Sequence, residues 1–316
     1  MKANGDDILR LKQYLRKRLL SLGFSRVGFA STGQVRREIQ QYCQEWLLKG
    51  YNGQMKWLRM SMPLRLDARR FYPEVKTIVS LSLPWGKPGI LPGFIAGYAW
   101  LKDYHAVIRE RIKSLGQELK DTFPEVRFRY CVDTGPVLEK YWAVESGLGW
   151  MGKNTLLITP GYGSWVMLAT LMLNIALSPD RRLKSRCGDC TRCLEACPTG
   201  ALKGPYILDA NRCIAYLTVE YQSSFSPKEE VLLNGSVFGC DRCQVVCPYN
   251  QNGAPEVTTD SEVEQITAGL LKKFSTLDRK EFNQLFALTP VRRIGWEKFQ
   301  RQVELALAYF KKTEKL

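Results

Sequence analysis

Eight of the ten cysteines in this 316-residue chain fall between Cys187 and Cys247. The run Cys187-x2-Cys190-x2-Cys193-x3-Cys197-Pro198 has the spacing with which bacterial ferredoxins wrap a 4Fe–4S cubane. Three closely spaced thiolates let one short loop surround a cluster, and a fourth, just before a proline, projects toward a second cluster. A second run, Cys240-x2-Cys243-x3-Cys247-Pro248, has Val237 where its first cysteine is due, and Cys213 is the nearby thiol that fills the gap. The count then closes on two clusters. One takes Cys187, Cys190, Cys193 and Cys247; the other takes Cys197, Cys213, Cys240 and Cys243. Four-cysteine sites also hold zinc, but overlapping three-cysteine runs ending in Cys-Pro are the iron–sulfur pattern. Two such clusters relay electrons singly, so an acceptor is expected elsewhere in the chain. Cys43 and Cys131 stay unassigned.

The remaining chemistry is sparser. Asp133, in Cys131-Val-Asp-Thr-Gly-Pro-Val-Leu-Glu139, sits where a strand gives way to a helix, a common place for catalytic side chains. Its other reading is structural, because Asp133 or Thr134 would cap a helix that follows Pro136. The run Gly147-Leu-Gly-Trp-Met-Gly-Lys-Asn154 either brings backbone close to a large flat ligand or is a turn between helix and strand. His105 is the single histidine. There is no GxGxxG between a strand and a helix, no Walker A, no HExxH and no GxSxG, so nicotinamide, nucleotide-phosphate, zinc-protease and serine-hydrolase chemistry lack support.

The elements that must position these residues follow from periodicity. Apolar residues at Ile8, Leu11, Leu15, Leu19 and Leu22 mark a first helix ending at Gly23. Phe24–Ser31, Thr77–Leu83, Arg127–Val132 and Trp165–Leu173 read as strands, the last continuously apolar and hence central in a sheet. Helices are expected around residues 46–58, interrupted by Gly50 and Gly53, at Asp103–Asp121, and at Pro136–Ser146 with Gly147 as the stop. Trp85–Gly97 is dense in Gly and Pro and reads as a loop, and a last helix should open at Thr289-Pro290 and run through Phe310. Strand–helix alternation over the first 180 residues indicates an α/β or α+β domain.

With 45% hydrophobic and 24% charged residues, disorder, collagen and coiled coil are excluded. The length allows two or three domains with a real core. No secretory signal is expected, and the longest apolar run, Trp165 to Leu177, is about 13 residues, too short to span a bilayer. A cytoplasmic protein is therefore expected, with cysteines that are not disulfides. Net charge is +15, and residues 1–180 carry 26 basic against 15 acidic groups, while residues 181–255 and 256–316 are each near +2. The positive excess belongs to the first part of the chain.

Taken together, VDTGPVLEK, GLGWMGKNTLLI, CGDCTRCLEACPTGAL, CIAYLT and FGCDRCQVVCPYN resemble epoxyqueuosine reductase, over nearly the whole chain to about residue 310. The resemblance implies a nitroreductase-like domain at 1–180 that binds cobalamin base-off, a ferredoxin-like domain with two 4Fe–4S clusters at 181–255, and a short helical segment at 256–316. The implied reaction is the last step of queuosine synthesis, reduction of an epoxide in tRNA. Asp133 then matches the proton donor, and Asp133, Tyr98, His105, Gly152, Lys153, Asn154 and Thr155 would line the corrin pocket. His105 is expected in a pocket or structural role rather than as a cobalt ligand. The tail around residues 291–301 would hold tRNA or cap the core. The tRNA anion would meet candidate patches at Arg65, Arg69 and Arg70, at Arg181, Arg182, Lys184 and Arg186, and at Arg292–Arg293. An external electron donor and a monomeric state complete the expectation. Two alternatives stand beside it: a reductive dehalogenase-like cobalamin enzyme acting on a small molecule, and a ferredoxin-type electron-transfer protein.

Overall fold

The computed structural model describes residues 5–85, 94–251 and 269–313. They fall into two compact units, one built from segments within 1–49, 56–85 and 105–189, the other from 50–55, 94–104 and 190 onward.

The first unit is a four-stranded sheet flanked by helices. In chain order it contains α1 (Gly5–Ser21), β1 (Arg26–Ser31), α2 (Arg37–Leu48), α3 (Lys56–Arg65), α4 (Ala68–Phe71), β2 (Thr77–Pro84) and α5 (Tyr104–Thr122). β3 (Phe128–Cys131), α6 (Glu139–Glu145), β4 (Trp150–Met151), β5 (Leu157–Ile158) and β6 (Val166–Leu173) follow. The sheet order is β1-β2-β6-β3 and every pairing is antiparallel, with Ile78 opposite Met172 and Tyr130 opposite Leu171. The fold is thus α+β. β2 and β6 occupy the middle positions; β2 is buried almost end to end and β6 from Ala169 to Leu173. Leu15, Leu19, Phe29, Ile78, Leu81 and Leu171 form much of this core at 0% exposure. β4 and β5 make a separate hairpin around the glycine run.

The second unit is organised by cysteines and aromatics. Two short helices, Arg192–Glu195 and Arg242–Val245, pack against each other, and a small hairpin pairs β7 (Leu202–Gly204) with β8 (Ile207–Leu208). Around them Phe94, Phe238, Phe274, Phe282, Phe286 and Phe299 build an aromatic core. The helix Trp296–Lys312 contributes Phe299, Val303 and Ala306, one stripe at helical spacing. Among the described residues no helix is long and apolar enough to cross a membrane.

Two boundaries differ from the sequence reading. The helix expected at Pro136 starts only at Glu139, because residues 132–137 are held in three-residue turns described below. The last helix opens at Trp296 rather than Pro290. Pro290–Ile294 is a single 3-10 turn, and Gly295 at φ +77° separates it from the helix. Of the expected loop 85–97, residues 86–93 lie outside the described residues, as do residues 256–268 of the tail.

Candidate active site and cluster-binding segments

Asp133 lies at the tip of a strained turn. The Thr134 N–H donates to Val132 O at 2.6 Å, closing a three-residue turn around Asp133 at φ +57°. Such turns with positive φ at a non-glycine centre are rare, and a residue held there costs roughly 1–3 kcal/mol. A second three-residue turn follows at once, with the Val137 N–H on Gly135 O at 2.8 Å. Gly135 is required for a separate reason. A Cβ at that position would lie 2.3 Å from Cys131 Sγ, so the end of β3 forms the floor of the loop. Asp133 therefore does not cap α6, whose preceding residue is Leu138.

The side chain of Asp133 is half exposed, and its Oδ2 stands 3.4 Å from His105 Nε2 at the start of α5. The sealed carboxyl of this site belongs to Glu139. Its Oε2 accepts the Asp133 backbone N–H at 3.0 Å, while its Oε1 is buried with no hydrogen-bond partner among the described residues. Burial, reinforced by the nearby Asp133 charge, pushes Glu139 up to about 8. The next residue, Lys140, donates Nζ to Thr155 O at 2.8 Å. Thr155 is a second non-glycine residue at positive φ, +65°. The first two residues of α6 thus tie down both left-handed turns, and strain of this kind clusters at functional sites. Reading the motif residue by residue for side chains able to reach back over the turn would have singled out Glu139 and Lys140.

The other predicted site residues divide. Lys153 and Thr155 are partly exposed on the turn between β4 and β5. Gly152 and Asn154 are buried, and Asn154 Oδ1 accepts the Leu156 N–H at 3.3 Å, shaping the turn from inside. The glycine run is explained by the protein's own packing: a Cβ at Gly149 would come 2.1 Å from Ile158 O, and one at Gly147 2.4 Å from Arg181 O. Tyr98 belongs to the second unit, where its ring packs on Tyr104 and Phe238. Arg65 is not a surface patch. It is 5% exposed, donates Nη1 to Val137 O at 3.0 Å and stacks on Trp57, because its guanidinium braces the back of the Asp133 loop. Arg69 is exposed but engaged by Asp67 through two contacts. Cys131 is buried and its thiol is pushed up to about 12, first by burial, which makes it inert packing. A cleft of about 610 Å³ opens elsewhere on this unit, lined by Thr32, Tyr141, Glu145 and by Arg181 and Arg182 of one candidate basic patch; none of the expected catalytic, corrin or cluster residues lines it.

The cysteines of the second unit have the surroundings an iron–sulfur cluster needs. Cys193 and Cys243 ride on the two short helices, and Cys197 and Cys247 follow them. No disulfide forms. Burial raises the thiols of Cys213, Cys240 and Cys243, and charge on neighbouring thiols raises Cys213 and Cys243 further. Cys213 feels the charge of Cys240 and Cys197, and Cys243 that of Cys240, Cys213 and Cys193, so thiols of both expected sets lie within electrostatic reach of one another. Burial also opposes ionisation of Cys197, yet the N–H groups of Leu202, Thr199 and Ala201 outweigh it and hold this thiol below its ordinary value. Backbone N–H groups aimed at sulfur are what stabilise cluster thiolates. Among the described residues no three His, Cys, Asp or Glu side chains converge tightly enough to hold a single metal ion, and a cubane asks for a wider spread. Burial pushes Asp241, between Cys240 and Cys243, up to about 6, and its Oδ2 accepts the Gly97 N–H at 2.6 Å. That bond ties the segment bearing Tyr98 to the cysteine loop.

Comparison with known proteins gives a consistent result. A family model described as a 4Fe-4S double cluster binding domain matches residues 186–250, and one described as epoxyqueuosine reductase QueG matches residues 65–134. An epoxyqueuosine reductase from Synechocystis is 38% identical over 291 residues, covering 89% of this chain and all of the relative. A crystal structure of epoxyqueuosine reductase with an epoxyqueuosine-modified tRNA-Tyr stem loop is 30% identical. It superposes with a TM-score of 0.83 over 98% of this chain and 84% of that one. The Bacillus subtilis enzyme, solved with its aspartate-bearing catalytic loop swung out of the active site, is 29% identical with the same TM-score and coverage.

Proposed function

The chain belongs to the epoxyqueuosine reductase family, and from that premise we infer its reaction and the residues that carry it. It is an oxidoreductase that reduces the epoxide of epoxyqueuosine in tRNA to queuosine, with cobalamin and two 4Fe–4S clusters as cofactors. The observation that supports this reading is an aspartate on a strained, braced turn in a chain that also carries eight cysteines at cluster-binding spacing. Removal of the epoxide oxygen as water consumes two electrons and two protons. Cobalamin, when bound, supplies a strong metal-centred reductant that the clusters recharge one electron at a time.

The chain's own residues do the rest. Cys187, Cys190, Cys193 and Cys247 hold one cluster, and Cys197, Cys213, Cys240 and Cys243 hold the other. Asp133 is the acid: its half-exposed carboxyl at the tip of the turn reaches outward and delivers a proton to the oxygen as the C–O bond breaks. His105 faces the same carboxyl and orients it. Tyr98, His105, Lys153 and Thr155 would contact the corrin, with Gly152 and Asn154 shaping the turn that does so. In the Bacillus subtilis relative the corresponding loop can swing out, so the loop of this chain must be held in to act. The functional division is 1–180 for the cobalamin-binding part, 181–255 for the clusters and 256–316 for the helical segment. We read the enzyme as a cytoplasmic monomer served by an external electron donor. Arg70, Arg181, Lys184 and Arg292, all exposed, are the basic groups available to tRNA phosphates.

The test is anaerobic reduction of epoxyqueuosine-containing tRNA by reconstituted protein, read by nucleoside mass spectrometry. Asp133→Ala should keep both clusters and the corrin while turnover falls by roughly 100- to 10,000-fold. Full activity in that variant would remove Asp133 from the mechanism.

A further inference from the structure

We propose that Glu139 is a positioning residue, a latch that holds the Asp133 turn in its left-handed form by accepting the Asp133 backbone N–H. The inference rests on Asp133 being the acid proposed above. A strained turn persists only where its surroundings over-determine it. The two hydrogen bonds inside the loop, Thr134 to Val132 and Val137 to Gly135, are local and move with it. The bond from Glu139 Oε2 at 3.0 Å differs because its acceptor is the first residue of a regular helix, α6. That helix is anchored by Trp142 and Ala143, 2% and 0% exposed. Opening the loop would break this bond and release the strain at Asp133 together.

Other groups around Glu139 brace the same arrangement without duplicating the latch. Arg65, from α3, grips Val137 O and adds positive charge beside Glu139 and Asp133. Lys140 serves the neighbouring turn at Thr155. Cys131 packs beneath Gly135 as an uncharged floor. The Glu139 carboxyl accepts the backbone N–H of Asp133 itself. The sealed, partnerless Oε1 marks a carboxyl placed for one contact rather than for a salt bridge.

The experiment compares Glu139→Ala, Glu139→Gln and Asp133→Ala, singly and as the Asp133→Ala/Glu139→Ala double variant, in cluster- and cobalamin-loaded protein. Glu139→Ala should lower kcat about 10- to 100-fold through misplacement of the acid, with KM for tRNA and the cofactor spectra unchanged. Hydrogen exchange of amides 132–138 should accelerate while β3 and β6 keep their protection. Glu139→Gln retains a carbonyl acceptor and should recover most of both losses. The double variant should be no slower than Asp133→Ala, because Glu139 acts through Asp133. Wild-type exchange of 132–138 in Glu139→Ala, or a further rate loss in the double variant, overturns the proposal. If Asp133→Ala proves fully active, the acid assignment fails, while the exchange data still decide whether Glu139 holds the turn. Should Glu139→Ala fail to fold, the isosteric Glu139→Gln and its exchange pattern carry the test.

Discussion

The buried Glu139 carboxyl should make the Asp133 loop sensitive to pH, with its stability falling as pH rises. In the closed turn the proton is held to about 8, against an ordinary value of 4.5. Once the loop opens and the carboxyl meets water, the proton leaves near the ordinary value. The closed loop therefore binds more protons than the open one between these limits, and its stability falls as pH rises through them. At about 1.4 kcal/mol per pH unit, the ceiling is roughly 5 kcal/mol. Glu139 as a whole is only partly buried, and Arg65 and Lys140 supply opposing charge, so about 1–2 kcal/mol is expected after screening. The assay is native-state hydrogen exchange of amides 132–138 at pH 5.5, 7 and 8.5, corrected for the intrinsic rate. Wild-type protein should lose about 1–2 kcal/mol of local opening free energy across the series. Glu139→Gln, with nothing to titrate, should lose none of that share. The groups facing Glu139 (Asp133, Cys131, Arg65 and Lys140) are the same in both proteins and cancel in the comparison. Parallel loss of protection in the two would show that Glu139 is not the titrating group and would refute the burial argument behind it.

Three further outcomes follow from the same structure. Cys213→Ala should remove the second cluster, halving bound iron and sulfide, whereas Cys43→Ala should leave both unchanged; colorimetric iron analysis decides. Gly149→Ala places a Cβ 2.1 Å from the Ile158 carbonyl and should cost about 1–3 kcal/mol as overpacking. Gly33→Ala, with nothing within 4 Å, should be near neutral, and thermal unfolding of the loaded protein compares the two. Binding of tRNA should weaken steeply between low and moderate salt, with a smaller slope for a variant lacking Arg70, Arg181 and Lys184. A flat salt titration would remove phosphate contact from the picture.

Much of this protein is legible in its sequence. The double-cluster segment could be read from cysteine spacing because a cubane is wrapped by one short loop, and local chemistry of that kind is written in adjacent residues. The four sheet strands were equally plain, since β2 and β6 are short, rich in β-branched and apolar residues, and bounded by turn signals. The strand directions were not, because alternation of strand and helix is compatible with several pairings until the register of β2 on β6 is known. The start of α6 was misplaced for a related reason. Pro136 is a good first residue of a helix, and only the floor of Cys131 under Gly135 shows why the chain turns twice more before Glu139.

The site itself divides along the same line. Residue types and motif resemblance singled out Asp133 as the acid, but they could not tell an exposed carboxyl from a sealed one. Burial is a property of what packs from elsewhere in the chain, and it fell on Glu139, six residues further on. The sequence left open whether the glycines at 147, 149 and 152 clear a ligand or form a turn, and tertiary packing shows carbonyls and side chains of the protein close against them. Arg65 looked like one more surface cation among many, and became a buried brace because Val137 O and the Trp57 ring converge on it. Spacing along the chain determined which groups could share a cluster. The meeting of distant segments decided which side chains are strained, sealed or free to act.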